Sequence, residues 1–479
     1  MVATTRLAGV QHQRGGAQPP ADEEVEVEIA GVEAGVVAEV QKEVVDLLVD
    51  LIKVDTSNPP GNETEAARLL DAWFRARGLE GQIVGEPAHR QNFVLRLEGT
   101  RPGPTLLLLA HMDVVPAESG AWSVPPFAGV VKDDHVWGRG AGDIKNLVAA
   151  HAVAVARLAA SGCDFAGTVI YCATADEEEG AECGARWLVQ NRPDLVRCDY
   201  LLNEGGGEFQ VVRGERVYEL TTGEKGTAQF RVTVHGEAGH ASVPLRKGNA
   251  VVAAAQAVLA LQEHQLPVTM ETLPPDYVRM LVDDEDLCRR LLDPATARAA
   301  LVELHGRDEL TARLLEPHYG LTFSPTIVHS SSEAINVFPE RVVVTVDCRT
   351  PAGRGEDEVR LEVGRALARL EAPWELEFVG SVMGNASADP SPLSAAIDRV
   401  MERFVPGART VSLHCVGFTD SNWFRAAFPD VVAYGFGPYI EESVEVTSDQ
   451  FHNHDERIHV KDLTFQAVFA EELARELLK

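Results

Sequence analysis

The chain has 479 residues, 45% of them hydrophobic and 24% charged, an ordinary composition for a globular protein of two or three domains that excludes wholly disordered and collagen-like chains. Lysine and arginine number 43 against 73 aspartate and glutamate residues, so the formal net charge is -30 at pH 7. A field of this sign repels nucleic-acid phosphates and anionic lipid surfaces, and we expect neither as a partner.

The N-terminal part predicts a tail followed by two helices. Residues 1–37 mix glycine, glutamine and proline with alternating acidic residues, which is typical of a poorly ordered or accessory segment. From residue 37 onwards, apolar side chains recur at helical spacing as far as the Asn58-Pro59-Pro60-Gly61 breaker. Residues 63–77 predict a second helix, which Gly78 ends.

Strand and helix patterns alternate in the next segment. Short apolar runs at 105–110 and 168–173 predict buried strands, and residues 146–160 between them predict a helix. This alternation favours an α/β domain with a largely parallel sheet.

The pattern changes near residue 221. Residues 229–235 alternate polar and apolar side chains, as a strand with one buried face does, and an Ala/Val-rich helix at 248–263 and a strand at 341–347 follow. These elements favour an antiparallel sheet covered by helices on one face. Residues 270–325 are charged and helix-like, and the pattern assigns them to neither sheet.

The α/β pattern resumes after about residue 386, with a helix at 393–404 and a strand at 431–436. We therefore predict that the middle domain is inserted into the first one. The predicted divisions are a tail at 1–37, an α/β domain in two parts at 38–221 and 386–479, and an inserted α+β domain at 222–385.

Cysteine usage and hydropathy bear on the compartment. The seven cysteines are odd in number and form no CxxC pair, which favours a reducing compartment over a disulfide framework. The apolar runs are far shorter than the roughly 20 residues that a membrane-spanning helix needs. We predict a cytoplasmic protein.

Polar motifs follow three of the predicted strands. Taken alone, His111-Met112-Asp113 fits an ordinary loop histidine, and the acidic run from Asp176 to Glu179 fits a solvated turn. Open α/β sheets place ligand sites at the carboxyl ends of their strands, so three such motifs together favour a site there. The motifs are His111-Met112-Asp113, Asp176-Glu177-Glu178-Glu179-Gly180 and Asn203-Glu204-Gly205-Gly206-Gly207.

The order of these and other motifs resembles the metallopeptidase family that includes aminoacylase, acetylornithine deacetylase, succinyl-diaminopimelate desuccinylase and glutamate carboxypeptidase. The resemblance runs from about residue 38 to the C terminus. It implies a zinc-peptidase-like catalytic domain with a mostly parallel sheet flanked by helices, plus an inserted α+β lid and dimerisation domain with an antiparallel sheet. The motifs are LLVDLIKVDTSNPPG at 47–61, His111-Met112-Asp113, GRGAGDIK at 138–145, Asp176-Glu177-Glu178, Asn203-Glu204-Gly205, Gly239-His240-Ala241-Ser242 and His452-Asn453-His454-Asp455-Glu456.

The resemblance implies two Zn²⁺ ions per subunit, with Co²⁺ or Mn²⁺ as chemical alternatives. His111, Asp143 and Glu204 would hold one ion. Asp143, Glu178 and His452 would hold the other, so that the Asp143 carboxylate bridges the pair. Three protein ligands per ion leave a position open for water or substrate. Calcium is disfavoured because it prefers all-oxygen shells.

The resemblance also assigns residues around the ions. Asp113 would orient the imidazole of His111, and a cis peptide bond would follow Asp143. His454 is an alternative to His452 as ligand, although the His-x-x-x-Glu spacing to Glu456 favours His452.

Catalytic and substrate-binding roles are implied in the same way. Glu177 would be the general base, and His240 would hydrogen-bond the developing oxyanion, in dimeric members from the partner subunit. Asn336 and Arg349 would bind a free carboxylate of the substrate. A structural salt bridge between Arg349 and Asp347 is the alternative for the arginine.

The implied function is a two-metal hydrolase that cleaves an amide bond in a small substrate with a free carboxylate, either a dipeptide or the C-terminal residue of a peptide. Deacylation of N-acyl amino acids is the alternative, because both reactions use the same groups. A non-catalytic metal-binding protein on this scaffold is less favoured, because such a protein would not need Glu177. A homodimer formed through the lid domain is a further implication.

Overall fold

The computed structural model describes residue 29 and residues 31–245, 247–270 and 273–479. The tail predicted at 1–37 therefore lies largely outside the described residues. The first helix begins at Ala34, inside the segment assigned to the tail.

The first half of the chain alternates strands and helices. The elements in chain order are α1 Ala34–Lys53, α2 Glu63–Arg75, β1 Gln82–Val84, β2 Asn92–Glu98, β3 Arg101–His111, β4 Val130–Lys132, β5 His135–Trp137, α3 Lys145–Ala160, β6 Ala166–Thr174, α4 Ala185–Asn191, α5 Pro193–Val196, β7 Tyr200–Asn203, β8 Phe209–Val212 and β9 Glu215–Glu224, with a 3₁₀ turn at Ser119–Ala121.

The second half begins with the antiparallel strands. The elements are β10 Gly226–His235, β11 Gly239–His240, α6 Ala250–Gln262, α7 Pro275–Leu281, α8 Glu285–Leu291, α9 Ala297–Arg307, α10 Glu309–Leu315, a 3₁₀ turn at Glu316–Tyr319, β12 Thr322–Ser330, β13 Val337–Phe338, β14 Arg341–Thr350, α11 Glu356–Ala366, β15 Trp374–Val382, α12 Pro392–Phe404, β16 Arg409–Cys415, α13 Ser421–Ala427, β17 Val432–Gly435, α14 Val444–Thr447, β18 Arg457–His459 and α15 Val460–Leu477.

A nine-stranded sheet forms the body of the molecule. Its order is β1-β2-β6-β3-β7-β17-β9-β16, with β8 paired to β9. The central strands β6, β3, β7 and β17 run parallel to one another. The α/β fold class predicted from the motifs is therefore confirmed.

The central strand β3 shows why this sheet is buried on both faces. Leu106 and Leu108 pack into the core formed with α1, α3 and α15. Leu107 and Leu109 point the other way, into the core formed with α4 and α13. Because successive side chains of a strand alternate between faces, an unbroken apolar run is what two helical layers require.

A separate four-stranded antiparallel sheet has the order β12-β14-β10-β15, with α6 and α11 packed on one face. Phe230, Val232 and Val234 of β10 are fully buried against these helices, which explains the one-sided alternation in the sequence.

The helices α7 to α10 occupy most of the charged segment that the pattern left unassigned. They pack against the edge of the nine-stranded sheet, where Val217, Val411 and Leu413 join their core. In the described part of the chain, none of the helices combines the length and apolar character needed to cross a bilayer.

Candidate metal centre

The sheet order brings three of the polar motifs together. Strand β3 lies between β6 and β7 and runs parallel to both, so the carboxyl ends of all three strands share one edge. His111 is the last residue of β3, and Glu204 directly follows β7. Asp143 precedes α3, and the Asp143–Ile144 peptide bond is cis, as the resemblance implied.

The Asp143 carboxylate lies between two imidazole rings. Its Oδ1 is 3.3 Å from His111 Nε2, and its Oδ2 is 3.1 Å from His452 Nε2. Glu204 Oε1 lies 3.7 Å from His111 Nε2, and Glu178 Oε2 lies 3.3 Å from His452 Nε2. The five predicted ligands thus form two groups that share one carboxylate.

The chemistry of these side chains fits a pair of divalent cations. His111 Nδ1 lies 3.0 Å from the main-chain oxygen of Asp113. A carbonyl oxygen can only accept a hydrogen bond, so Nδ1 carries a proton, and Nε2, which faces Asp143 and Glu204, is the ring atom available to a cation. Glu178 Oε1 is buried without a hydrogen-bond partner among the described residues. Imidazole nitrogens combined with carboxylate oxygens suit zinc and related transition metals.

The clustered carboxylates raise the proton affinity of both histidines. Hydrogen bonds from His452 to Asp143 and Glu178 raise the histidine pKa to about 10. Burial disfavours the charged form of His111, but Glu204 and its other carboxylate neighbours outweigh burial and hold its pKa well above the usual value. Burial, and after it the charge of Glu204, raises the pKa of Glu177 well above its ordinary value.

Asp113 is fully buried and holds the turn that carries two predicted site residues. Its carboxylate accepts the main-chain N–H groups of Glu177 and Glu178, each at 3.1 Å, and the side-chain amide of Asn58 at 2.9 Å. Its contact with His111 Nδ1 is through the main-chain oxygen, while the carboxylate lies 3.6 Å away. Because Asp113 fixes the main chain at Glu177 and Glu178, their adjacent side chains can point in different directions.

Glu456 supports the site in a way that its spacing from His452 did not predict. It is fully buried, and its Oε1 accepts the N–H groups of Gly142 at 2.8 Å and Asp143 at 3.0 Å. Its Oε2 pairs with Arg139 at 2.6 Å. In the sequence, the signal for Glu456 is its His-x-x-x-Glu spacing from His452. The hydrogen bond of Glu456 then connects this motif to the main chain of Asp143.

The structure does not bring the predicted lid residues to this cluster. His240 and Asn336 lie together on an exposed ribbon formed by β11 and β13, where the main-chain N–H of Ala241 donates to the Asn336 oxygen at 2.9 Å. Arg349 Nε pairs with Asp347 Oδ1 at 2.9 Å, which is the alternative that the sequence left open. In the part of the chain that the structure describes, none of the three hydrogen-bonds or ion-pairs with the five clustered residues.

Residues 107–476 match the profile of the peptidase family M20/M25/M40. The chain belongs to this family. Membership confirms the resemblance drawn from the motifs and makes the protein a metal-dependent hydrolase.

Individual relatives differ in how much of the chain they cover. A probable succinyl-diaminopimelate desuccinylase of Staphylococcus aureus is 32% identical over 208 residues, 43% of this chain and 47% of that one, so this match spans about half the relative's length. A succinyl-diaminopimelate desuccinylase of Methylobacterium radiotolerans is 28% identical over 392 residues, 76% of this chain and 97% of that one. An M20 metallo-carboxypeptidase of Sulfolobus solfataricus, at 18% identity, superposes with a TM-score of 0.67 over 91% of this chain and 99% of that one, and shares the fold.

Truncation of the supporting glutamate tests whether it positions the shared carboxylate. We expect Glu456→Ala to weaken zinc binding about 10- to 100-fold, because the main chain at Asp143 loses its acceptor, and to destabilise the fold by about 3–5 kcal/mol, because Arg139 is left as an unpaired buried charge. Calorimetric zinc titration and urea unfolding measure the two effects. The exposed Glu445→Ala is the control, and equal zinc affinity in both variants would contradict the role.

Metal binding should release protons. Without a cation His452 is protonated at pH 7.5, because its pKa of about 10 lies above that pH. Since the folded chain raises this pKa from 6.5, the stabilising contribution of His452 is complete below pH 6.5 and is lost as the pH rises through 10. A cation that displaces this proton binds more tightly as the pH rises. Calorimetric zinc titrations in buffers of different ionisation enthalpy give the number of protons released. We expect His452→Gln to release about one proton fewer than the unaltered chain, and an unchanged number would exclude His452 as a ligand.

Proposed function

We propose that the protein hydrolyses an amide bond in a small substrate with a free carboxylate, either a dipeptide or the C-terminal residue of a peptide. The proposed cofactors are two Zn²⁺ ions, one held by His111, Asp143 and Glu204 and the other by Asp143, Glu178 and His452. The observation that carries the proposal is the Asp143 carboxylate, whose two oxygens face different histidines. When bound, the cations would supply Lewis acidity toward the amide carbonyl and toward an attacking water.

Glu177 is the proposed general base. It takes the proton of the attacking water and returns it to the departing amine. Its half-buried side chain lies beside the ligand cluster, since ligand atoms of His111, Glu177 and Glu204 are all within 4.8 Å of one another. Asp113 supports this role because it fixes the main chain at Glu177.

The proposed roles of the lid residues require a second copy of the chain. His240 would stabilise the oxyanion, and Asn336 and Arg349 would bind the substrate carboxylate, after assembly places a partner's lid over the cluster. The exposed position of the ribbon that carries His240 and Asn336 supports contribution in trans. We propose a homodimer formed through the lid domain.

A deacylase acting on N-acyl amino acids is the second candidate. The similarity to enzymes named succinyl-diaminopimelate desuccinylase favours it. Both candidates use the same cations and the same base, so the group on the acyl side of the scissile bond distinguishes them. A cytoplasmic location is also proposed, supported by the seven cysteines, all of which are free thiols.

Replacement of the base tests the catalytic assignment. We expect Glu177→Gln to lower kcat about 10²- to 10⁴-fold on the best substrate from a panel of dipeptides and N-acyl amino acids, because no carboxylate then accepts the water proton. Metal content, measured by mass spectrometry, should stay the same. The control is Glu179→Gln, which makes the same change of charge at an exposed neighbour. Activity within a few-fold of the unaltered chain would show that Glu177 is not the base.

Subunit complementation tests the contribution of His240 from a partner. Glu177→Gln and His240→Ala should each be nearly inactive alone. In a dimer of one of each, one of the two sites combines an intact base with an intact His240, so random co-assembly should restore about a quarter of full activity. Co-expression with two affinity tags and an activity assay measure this. No recovery in purified mixed dimers would place His240 in its own subunit's site or outside it.

A further inference from the structure

A cavity of about 160 Å³ lies beside the candidate metal centre. Two of its walls are Asp143 and Glu204, so an occupant would lie next to the carboxylates that face His111. All lining residues fall between 142 and 208 or between 437 and 466, and the inserted domain contributes none. Because the proposed function assigns the substrate carboxylate to the lid, this cavity is available for the acyl half of the substrate.

The lining has a distinct chemistry. Ile144, Leu147 and Phe451 supply apolar walls. Among the described residues that line the cavity, Glu208 is the only charged one besides the two proposed metal ligands, and none is a lysine, arginine or histidine. The volume suits a short acyl chain, since one water molecule takes about 30 Å³ in the liquid.

Glu208 has unused hydrogen-bonding capacity. Among the described residues, its carboxylate forms no hydrogen bond or ion pair with another side chain. Burial, with the nearby charge of Glu219 as the next cause, raises its pKa to about 7. Asn146, a second lining residue that is only 1% exposed, also has its side-chain oxygen without a donor. The Glu208 carboxylate, whose hydrogen-bond donor is its own main-chain N–H, and the Asn146 oxygen are acceptors that an ammonium group would satisfy.

We propose that this cavity binds the acyl half of the substrate through an ammonium group, with Glu208 as the counter-ion. The inference rests on the proposed amide hydrolysis and specifies its substrate class, namely aminoacyl compounds such as dipeptides. A succinyl group would bring a carboxylate beside Glu208, a like charge, in a lining that offers it no cationic side chain among the described residues, so such substrates are disfavoured. The chain therefore differs in specificity from the desuccinylases that it resembles.

Equilibrium binding tests the subsite without turnover. The probes are n-butylamine and butyrate, titrated calorimetrically into the zinc-loaded full chain at neutral pH. We expect the amine to bind more tightly than the acid, and Glu208→Gln to weaken amine binding about ten- to hundredfold, as loss of a charged hydrogen bond does. The exposed Glu179→Gln is the matched control and should leave the affinity unchanged. Equal binding of the two probes, or amine affinity unaffected by Glu208→Gln, would overturn the proposal.

The Gln variant should fold, because it has the same shape and removes a desolvated charge. Circular dichroism checks this point. If it nevertheless unfolds, Glu208→Asp carries the test, since it keeps the charge but withdraws it by one methylene. Weaker amine binding in this variant supports the subsite, and unchanged binding contradicts it.

A matched substrate pair extends the test to catalysis. Alanyl-alanine and propionyl-alanine differ only in the amine on the acyl side. We expect Glu208→Gln to lower kcat/KM for the first about tenfold or more while leaving the second within about twofold. Amine binding that depends on Glu208 in a chain that hydrolyses neither compound would refute the proposed function alone. Alanyl-alanine hydrolysis that is insensitive to Glu208→Gln would refute the subsite alone.

Discussion

The shared carboxylate of Asp143 is the constraint on which the rest of the site depends. Its two oxygens lie 3.3 Å and 3.1 Å from the Nε2 atoms of His111 and His452, which come from opposite ends of the chain. A carboxylate can face two partners in this way only if its main chain is held still. Glu456 provides that support by accepting the N–H groups of Gly142 and Asp143. The positions of the two proposed metal ions therefore depend on where the main chain holds the Asp143 side chain.

Much of the buried charge near the site serves placement rather than chemistry. Carboxylates that lose water in a protein interior need several hydrogen bonds in return. Asp113 obtains three, from Asn58 and from the main chain at Glu177 and Glu178. Glu224, at the end of β9 where the chain enters the lid, accepts both the N–H and the hydroxyl of Thr419 at 2.8 Å and pairs with Arg425 at 2.6 Å. These contacts hold the end of β9, where the chain passes into the lid domain, against the loop between β16 and α13.

Local patterns predicted the sheet and the polar residues at its strand ends, whereas the resemblance to the metallopeptidase family supplied the assignment of the five clustered residues as ligands. An apolar run such as 105–110 fixes a strand buried on both faces, and a strand end fixes where His111 must lie. The sequence did not reveal that the Asp113 carboxylate holds the Glu177 turn, or that Glu456 holds Asp143, because these hydrogen bonds join segments remote in the chain. It also left α7 to α10 unassigned, since their partner is a sheet edge whose residues Val217, Val411 and Leu413 lie far away in sequence.

The same reasoning separates the metal centre from the residues that would choose a substrate. His111, Glu178 and Glu204 end or follow neighbouring strands of one sheet, so their convergence follows from the strand order, whereas the family resemblance supplied Asp143 and His452. His240, Asn336 and Arg349 lie on or beside other sheets, so their distance from the cluster depends on the arrangement of the domains, which no local pattern encodes. The cavity at Glu208 is an intermediate case, because helices and loops of the α/β domain build it but its two acceptors, Asn146 and Glu208, come from separate segments of the chain. Under the proposed function, one folded domain would set specificity on the acyl side, whereas recognition of the carboxylate would depend on assembly with a second copy.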